Sequence, residues 1–187
     1  MAMNYSYLIS DTARDRSWVQ EAALVLGASV IIALFAPIAI YLPFSPVPIA
    51  TQAQVILLLS CFLGSKRASL AVMTFLFQGA AGLPVFASGK AGLLVLAGPS
   101  GGYLLGYLAA AFVTGYVVER MKERTPTKIF GAMSLGTLVI YLFGLPWLSR
   151  FVGWQGAFVL GMAPFLIGDV LKLILATRVL KSLRFFR

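Results

Sequence analysis

Six apolar stretches make up most of the chain. A helix needs about 20 apolar residues, within a range of about 17–25, to cross a bilayer. Soluble domains are about half apolar, with about a quarter of their residues charged. Here 60% of 187 residues are hydrophobic and 11% are charged, and the mean hydropathy is +0.92. The pattern predicts an all-α integral membrane protein with one transmembrane domain over residues 1–187. The chain is too short to carry a large soluble domain beside its spans.

The predicted helices run over about 19–42, 50–63, 68–81, 102–121, 129–148 and 157–180. Pro43, Pro46 and Pro48 make an extended connection after the first. Gly64-Ser65-Lys66-Arg67 makes a tight turn between the second and third. These two helices are near the lower length limit, and a re-entrant pair is the rival reading for them. Positive charge sets the orientation, because cytoplasmic loops carry the excess of Lys and Arg. Twelve such residues fall on one side of this plan: Arg14, Arg16, Lys66, Arg67, Arg120, Lys122, Arg124, Lys128, Arg178, Lys181, Arg184 and Arg187. The other side holds only Lys90 and Arg150. Both termini are therefore predicted to be cytoplasmic, and residues 82–101 to face outward. No small-residue cleavage site follows the first apolar run, so that helix is expected to be retained rather than removed as a signal peptide. The net charge of +9 reads as membrane topology, not as nucleic-acid binding.

Several chemistries are excluded. There is no histidine, hence no histidine base, relay or metal site. Cys61 is the one cysteine, and in its apolar run it reads as a packing residue. Gly89-Lys90 does not make a nucleotide P-loop, since the glycine spacing is wrong and Ala91 stands where a hydroxyl residue is needed. If the protein's work is driven by ATP, another subunit must bind it. No nucleophile–base pair is visible, so an enzyme is not expected, and no cofactor or metal is expected on this chain.

Asp169 and Lys172 are the charges left inside a span. Three residues apart, they share a helix face. Each costs about 2.5–3.5 kcal/mol at a membrane helix centre on insertion scales. The pair is either a structural ion pair or a polar ligand site. Asp169 lies about 18 Å into the predicted sixth helix at about 1.5 Å per residue, which demands a deep cavity. Pro164 should kink that helix and free the carbonyl of Leu160 as a further polar group. Gln52 and Gln78 are the other strong polar side chains in spans, either as interhelical glue or facing the cavity. The 82–101 loop is too long for a plain connection and too apolar for disorder, so it reads as a lid packed over a cavity. Small residues at four-residue spacing occur on helix 4 (Gly102, Gly106, Ala110, Thr114) and on helix 1 (Ala23 with Gly27, Ser29 with Ala33). Such stripes serve internal packing or contact with a partner subunit.

Four stretches, in this order, resemble the BioY family, the biotin-binding S components of energy-coupling factor transporters. They are Pro46-Val47-Pro48-Ile49 with Gln52; Gly82-Leu83-Pro84-Val85-Phe86 through Gly98-Pro99-Ser100-Gly101-Gly102-Tyr103-Leu104-Leu105-Gly106; Phe143-Gly144-Leu145-Pro146-Trp147-Leu148; and Pro164 with Gly168-Asp169 and Lys172. The chain departs from the family pattern at Ser88 and Lys90-Ala91 in the lid, and at Ala53 and Gln54 in helix 2. The resemblance implies a six-helix S-component bundle in the cytoplasmic (inner) cell membrane. Biotin would lie between the outer halves of the helices and the outward loops. Asp169 would take the ureido N–H donors and Lys172 would give to the ureido carbonyl. Val85, Phe86, Tyr103 and Leu104 would wall the rings, and Lys90 would meet the valerate. The implied partners are biotin, membrane lipid, and a coupling membrane protein with ATPase subunits, which would dock on Ala23, Gly27, Ser29 and Ala33. A self-sufficient biotin carrier, or a transporter of another vitamin-like solute, is the alternative.

Overall fold

The computed structural model describes residues 17–40 and 42–182. Arg14, Arg16, Arg184 and Arg187 of the charge tally, and the side chain of Lys181, lie outside what is described. The chain is mostly helical: α1 (Trp18–Leu34), α2 (Gln52–Ala80), α3 (Leu93–Ala97), α4 (Gly101–Glu119), α5 (Pro126–Gly161) and α6 (Ala163–Ser182). Two short strands, β1 (Ala39–Ile40) and β2 (Ile49–Ala50), pair antiparallel and close the proline loop. α1 stops at Leu34, short of the Leu42 expected from hydropathy. Pro37 is the reason: a proline has no N–H for a helical bond and disfavours helical backbone at the residue before it, and the chain turns into β1 instead.

Two of the helical runs double back. In a straight α2, Gln52 and Gln78 would stand about 39 Å apart at about 1.5 Å per residue. Yet Gln52 Nε2 reaches Ile32 O and Gln78 Nε2 reaches Ser29 Oγ, within one turn of each other on α1. The reversal is at Gly64, whose φ of 76° and ψ of −180° break the helix. α5 repeats the device at Gly153, with φ 73°. Leu148 and Gly161 would be about 20 Å apart on one straight helix, but the Leu148 side chain packs directly on Gly161. Helical arms over 52–63, 65–80, 126–152 and 154–161 result, and the last leads into α6. The expected sixth helix, 157–180, is therefore interrupted, at Met162.

Carboxylates tie the Gly64 reversal to its neighbours. Glu119, at the end of α4, accepts from the Ser65 N–H and from Ser65 Oγ, both at 2.8 Å. The Ser65 N–H opens the returning arm, where helix donors lack intrahelical partners and negative charge is favoured. Glu21 of α1 makes a two-pronged pair with Arg67, each contact 2.7 Å. Neither acidic residue was singled out in the sequence.

α4 sits between the α2 hairpin and the α5 hairpin, and its small residues let both come close. Gly115 meets the backbone at Ser65. Gly102 lies against Trp147 and the Phe143 carbonyl, and Gly106 lies against Ile140. Thr114 faces Gly136. The helix 4 stripe is thus internal packing. Among the described residues, three runs are long and apolar enough to cross a membrane: Gln52–Ala80, Gly101–Glu119 and Pro126–Arg178. In the last, only 18% of the most apolar window is buried within the chain, and Leu138, Leu142 and Leu175 point outward. An apolar exterior of this extent suits lipid.

Replacing Gly64 by alanine forces a non-glycine residue into a backbone region nearly reserved for glycine, and its Cβ collides with the Glu119 carboxylate. Gly64→Ala is expected to destabilise the fold by about 1–3 kcal/mol. Gly131→Ala, helical with open space at its Cβ, should not. Thermal unfolding of both purified variants in detergent checks this; equal melting temperatures would show that Gly64 is not a required reversal.

Candidate functional site

A cavity of about 290 Å³ opens between the proline loop, the 82–101 segment and the ends of α2, α4, α5 and α6. That is near the low end of small-molecule sites, which run to about 300–1,000 Å³.

One wall is set by the break before α6. Pro164 has no N–H, so the Leu160 carbonyl loses its helical donor. Ser45 Oγ donates to that carbonyl at 2.8 Å and accepts from the Val47 N–H at 3.2 Å, which pins the proline loop to the break. Tyr103 Oη donates to the next carbonyl, Gly161 O, at 2.9 Å. The expectation that Leu160 O adds a polar group to the site is therefore corrected: Ser45 occupies it. The break also sets where α6 starts. α6 begins at Ala163, so Asp169 lies about 9 Å into its helix at about 1.5 Å per residue, half the distance expected.

At the base, Tyr141 Oη donates to Asp169 Oδ2 at 2.5 Å, and Gln54 Nε2 donates to Oδ1 at 2.9 Å. Lys172 Nζ stands 3.9 Å from Oδ1 and 3.3 Å from the Ala50 carbonyl. The Asp169 and Lys172 side chains are 15% and 24% exposed, so both charges are largely withdrawn from solvent yet open to the cavity. Around them the wall is aromatic. Tyr103 and Tyr141 meet edge to face at 6.4 Å, and Tyr107 lies one turn beyond Tyr103 on α4.

The 82–101 segment covers the mouth and is anchored along its length. The Ser88 N–H donates to Ala36 O at 3.1 Å, the Gly92 N–H to Gly79 O at 2.7 Å, and Trp147 Nε1 to Gly98 O at 2.9 Å. Phe86 fills the notch left by the absent side chain of Gly79 and meets Phe75 edge to face at 5.6 Å. Between the Gly92 and Gly98 anchors α3 stands out, with Leu94 87% exposed while lining the cavity mouth.

Of the residues singled out from sequence, Asp169, Lys172, Lys90, Gln52, Tyr103 and Phe86 line the cavity together, as does Leu104. Val85 does not: its carbonyl instead accepts from Gln52 Nε2 at 2.9 Å. Gln78 is also outside the cavity, held on Ser29. On α1 the small residues divide. Ala23 and Gly27 are exposed, with nothing near the Gly27 Cβ position. Ser29 is fully buried against α2 and Ala33 packs on the core, so these two are not on an open docking face. Sequence reasoning missed Tyr141, Gln54 and Tyr107. The i, i+4 spacing of Tyr103 and Tyr107 was a usable signal; Tyr141 gave none, because only the α5 reversal brings it to Asp169.

A bundle of helical hairpins with a lidded, largely apolar cavity over a buried charged pair defines a small-solute-binding membrane protein. A sequence model of the BioY family matches residues 6–186, and the chain belongs to that family. The biotin transporter BioY of Rhizobium etli is 38% identical over 160 residues, covering 81% of this chain and 85% of the relative. The probable biotin transporter BioY of Pyrococcus horikoshii is 37% identical over 139 residues, covering 74% and 82%. The crystal structure of the S-component for biotin from an ECF-type ABC transporter superposes with a TM-score of 0.81, at 25% identity and 95% coverage of both chains.

Proposed function

We propose that this chain is the biotin-capturing S component of an energy-coupling factor transporter. The observation that carries the reading is the carboxylate and ammonium of Asp169 and Lys172 held side by side at the base of an aromatic cavity. Biotin's ureido group offers N–H donors beside a carbonyl acceptor. Asp169 accepts from the donor side and Lys172 gives to the carbonyl, both as charge-assisted bonds. The bicyclic ring lies against Tyr103, Tyr107 and Phe86, and the valerate runs toward Lys90 in the lid. The names of the relatives and of the superposed structure support this ligand.

In this reading the arms cross the cell membrane six times, with both termini cytoplasmic and the 82–101 lid outward. Arg67 and the α4–α5 loop then lie inside, in keeping with the excess of positive charge at that end. The energy for uptake comes from partner subunits, a coupling membrane protein and ATPases that bind the ATP. Ala23 and Gly27 offer them an exposed face of α1 on which a helix can approach to backbone contact.

Asp169→Asn keeps the shape and removes the charge. Charge-assisted bonds contribute about 1.5–3 kcal/mol, so biotin should bind about tenfold to hundredfold more weakly to a folded, monodisperse variant. Titration calorimetry in detergent measures this, and unchanged affinity would sink the assignment. For the partner face, Gly27→Leu blocks close approach by steric overlap. It should abolish biotin uptake by cells carrying the full transporter while leaving biotin binding by the purified chain intact. Retained uptake would remove Gly27 from the docking face.

A further inference from the structure

α4 is central in the bundle, yet one line of it faces outward. Phe112, Tyr116 and Arg120, each four residues after the last, are all exposed. Phe112 and Tyr116 stack with their ring centres 5.9 Å apart, and the Arg120 guanidinium lies 4.1 Å from the centre of the Tyr116 ring. A long cation at the end of a membrane helix ordinarily reaches out to water. This one is turned back over the preceding turn of its own helix and held on the ring. A guanidinium over a ring spends its face there and keeps its N–H edge for another partner.

Among the described residues no carboxylate pairs with that charge. Four are present, and each is engaged elsewhere: Glu21 by Arg67, Glu119 by Ser65, Glu123 by Lys128, and Asp169 by Tyr141, Gln54 and Lys172. Depth adds to the argument. α4 holds 19 residues, about 28 Å at about 1.5 Å per residue, close to a bilayer's hydrocarbon thickness of about 30 Å. Arg120 follows the last of them, so it stands where hydrocarbon gives way to headgroups. Phe112 lies about 12 Å further in, within the hydrocarbon half-thickness of one leaflet, about 15 Å.

We infer that the Phe112–Tyr116–Arg120 face of α4 is a binding site for an anionic phospholipid. Its phosphate is held by the Arg120 guanidinium, and its acyl chains lie along Tyr116 and Phe112. The site is on the outside of the bundle and is independent of what fills the cavity. Guanidinium and phosphate meet through paired, charge-assisted bonds. The engaged carboxylates set the class of headgroup. Phosphatidylcholine and phosphatidylethanolamine carry a cation of their own, which finds no free acid among the described residues, whereas phosphatidylglycerol carries none.

The test is native mass spectrometry of the purified full chain with equal amounts of phosphatidylglycerol and phosphatidylcholine of the same acyl chains. The wild-type chain should retain phosphatidylglycerol at least about fivefold over phosphatidylcholine, the share one basic residue contributes at an anionic membrane surface. Arg120→Gln should abolish that preference. Tyr116→Leu removes the ring that holds the guanidinium and should lower the preference in part, while Tyr116→Phe should keep it. Tyr116→Leu is also the second variant should Arg120→Gln not purify. Lys122→Gln removes the same charge from the adjoining loop and should leave the preference in place. None of these residues lines the cavity, and a monodisperse elution profile checks that each variant is folded. Equal retention of the two lipids by the wild type would overturn the site. Equal loss from Lys122→Gln and Arg120→Gln would also overturn it, since diffuse charge would then account for the preference. So would capture of a partner subunit, in place of lipid, by a photocrosslinking side chain put at Phe112 in the full transporter.

Discussion

Withdrawing a carboxylate and an ammonium from water is unfavourable by several kcal/mol each unless the surroundings replace their hydration. Around Asp169 that replacement comes from three separate elements. Tyr141 arrives on the first arm of the α5 hairpin, Gln54 on the first arm of the α2 hairpin, and Lys172 from one turn along α6. Lys172 is itself shared with the Ala50 carbonyl beside the proline loop. The polar cluster therefore fixes how three elements sit around the cavity, and a ligand enters a site whose main donors and acceptors are already oriented. Such preorganisation lowers the ordering cost of binding.

Holding those elements in register is the work of the reversals and the close crossings. Gly64 and Gly153 turn two long helical runs into hairpins, and α4 packs between them through Gly102, Gly106 and Gly115. The end of the bundle near Gly64 is tied by Glu119 to Ser65 and by Glu21 to Arg67. The opposite end, where the lid lies, is tied by uncharged contacts: backbone bonds, Gln52 on the Val85 carbonyl, Trp147 on the Gly98 carbonyl and Phe86 in the Gly79 notch. Carboxylate ties at one end and uncharged ones at the other leave the cavity mouth as the part of the fold most able to open.

Much of this was legible in the sequence because membrane helices declare themselves by length and apolarity. The helical content, the tight turn at Gly64, the packed lid and the Asp169–Lys172 pair all rest on signals contained in one continuous stretch of chain. What escaped was set by contacts far apart in the chain. Tyr141 and Asp169 are 28 residues apart, and Gln54 and Asp169 are 115 apart. No local pattern joins them. Pro37 was a local signal that hydropathy overrode, and α1 came out shorter for it. The split of the α1 small residues, with Gly27 exposed and Ser29 buried, depends on which face α2 covers. Spacing alone does not say that.

The central claim is that the cavity recognises a cyclic urea through the charged pair at its base. Competition against labelled biotin on the purified full chain tests it most directly. Desthiobiotin keeps the cyclic urea and the carboxylate tail; lipoate keeps a sulfur ring and the tail but has no urea. The account predicts displacement by desthiobiotin and none by lipoate at about a hundredfold excess, because a site built for hydrogen bonds rejects an analogue that cannot make them. Equal displacement by lipoate would contradict it, since recognition would then rest on the tail and the apolar wall alone.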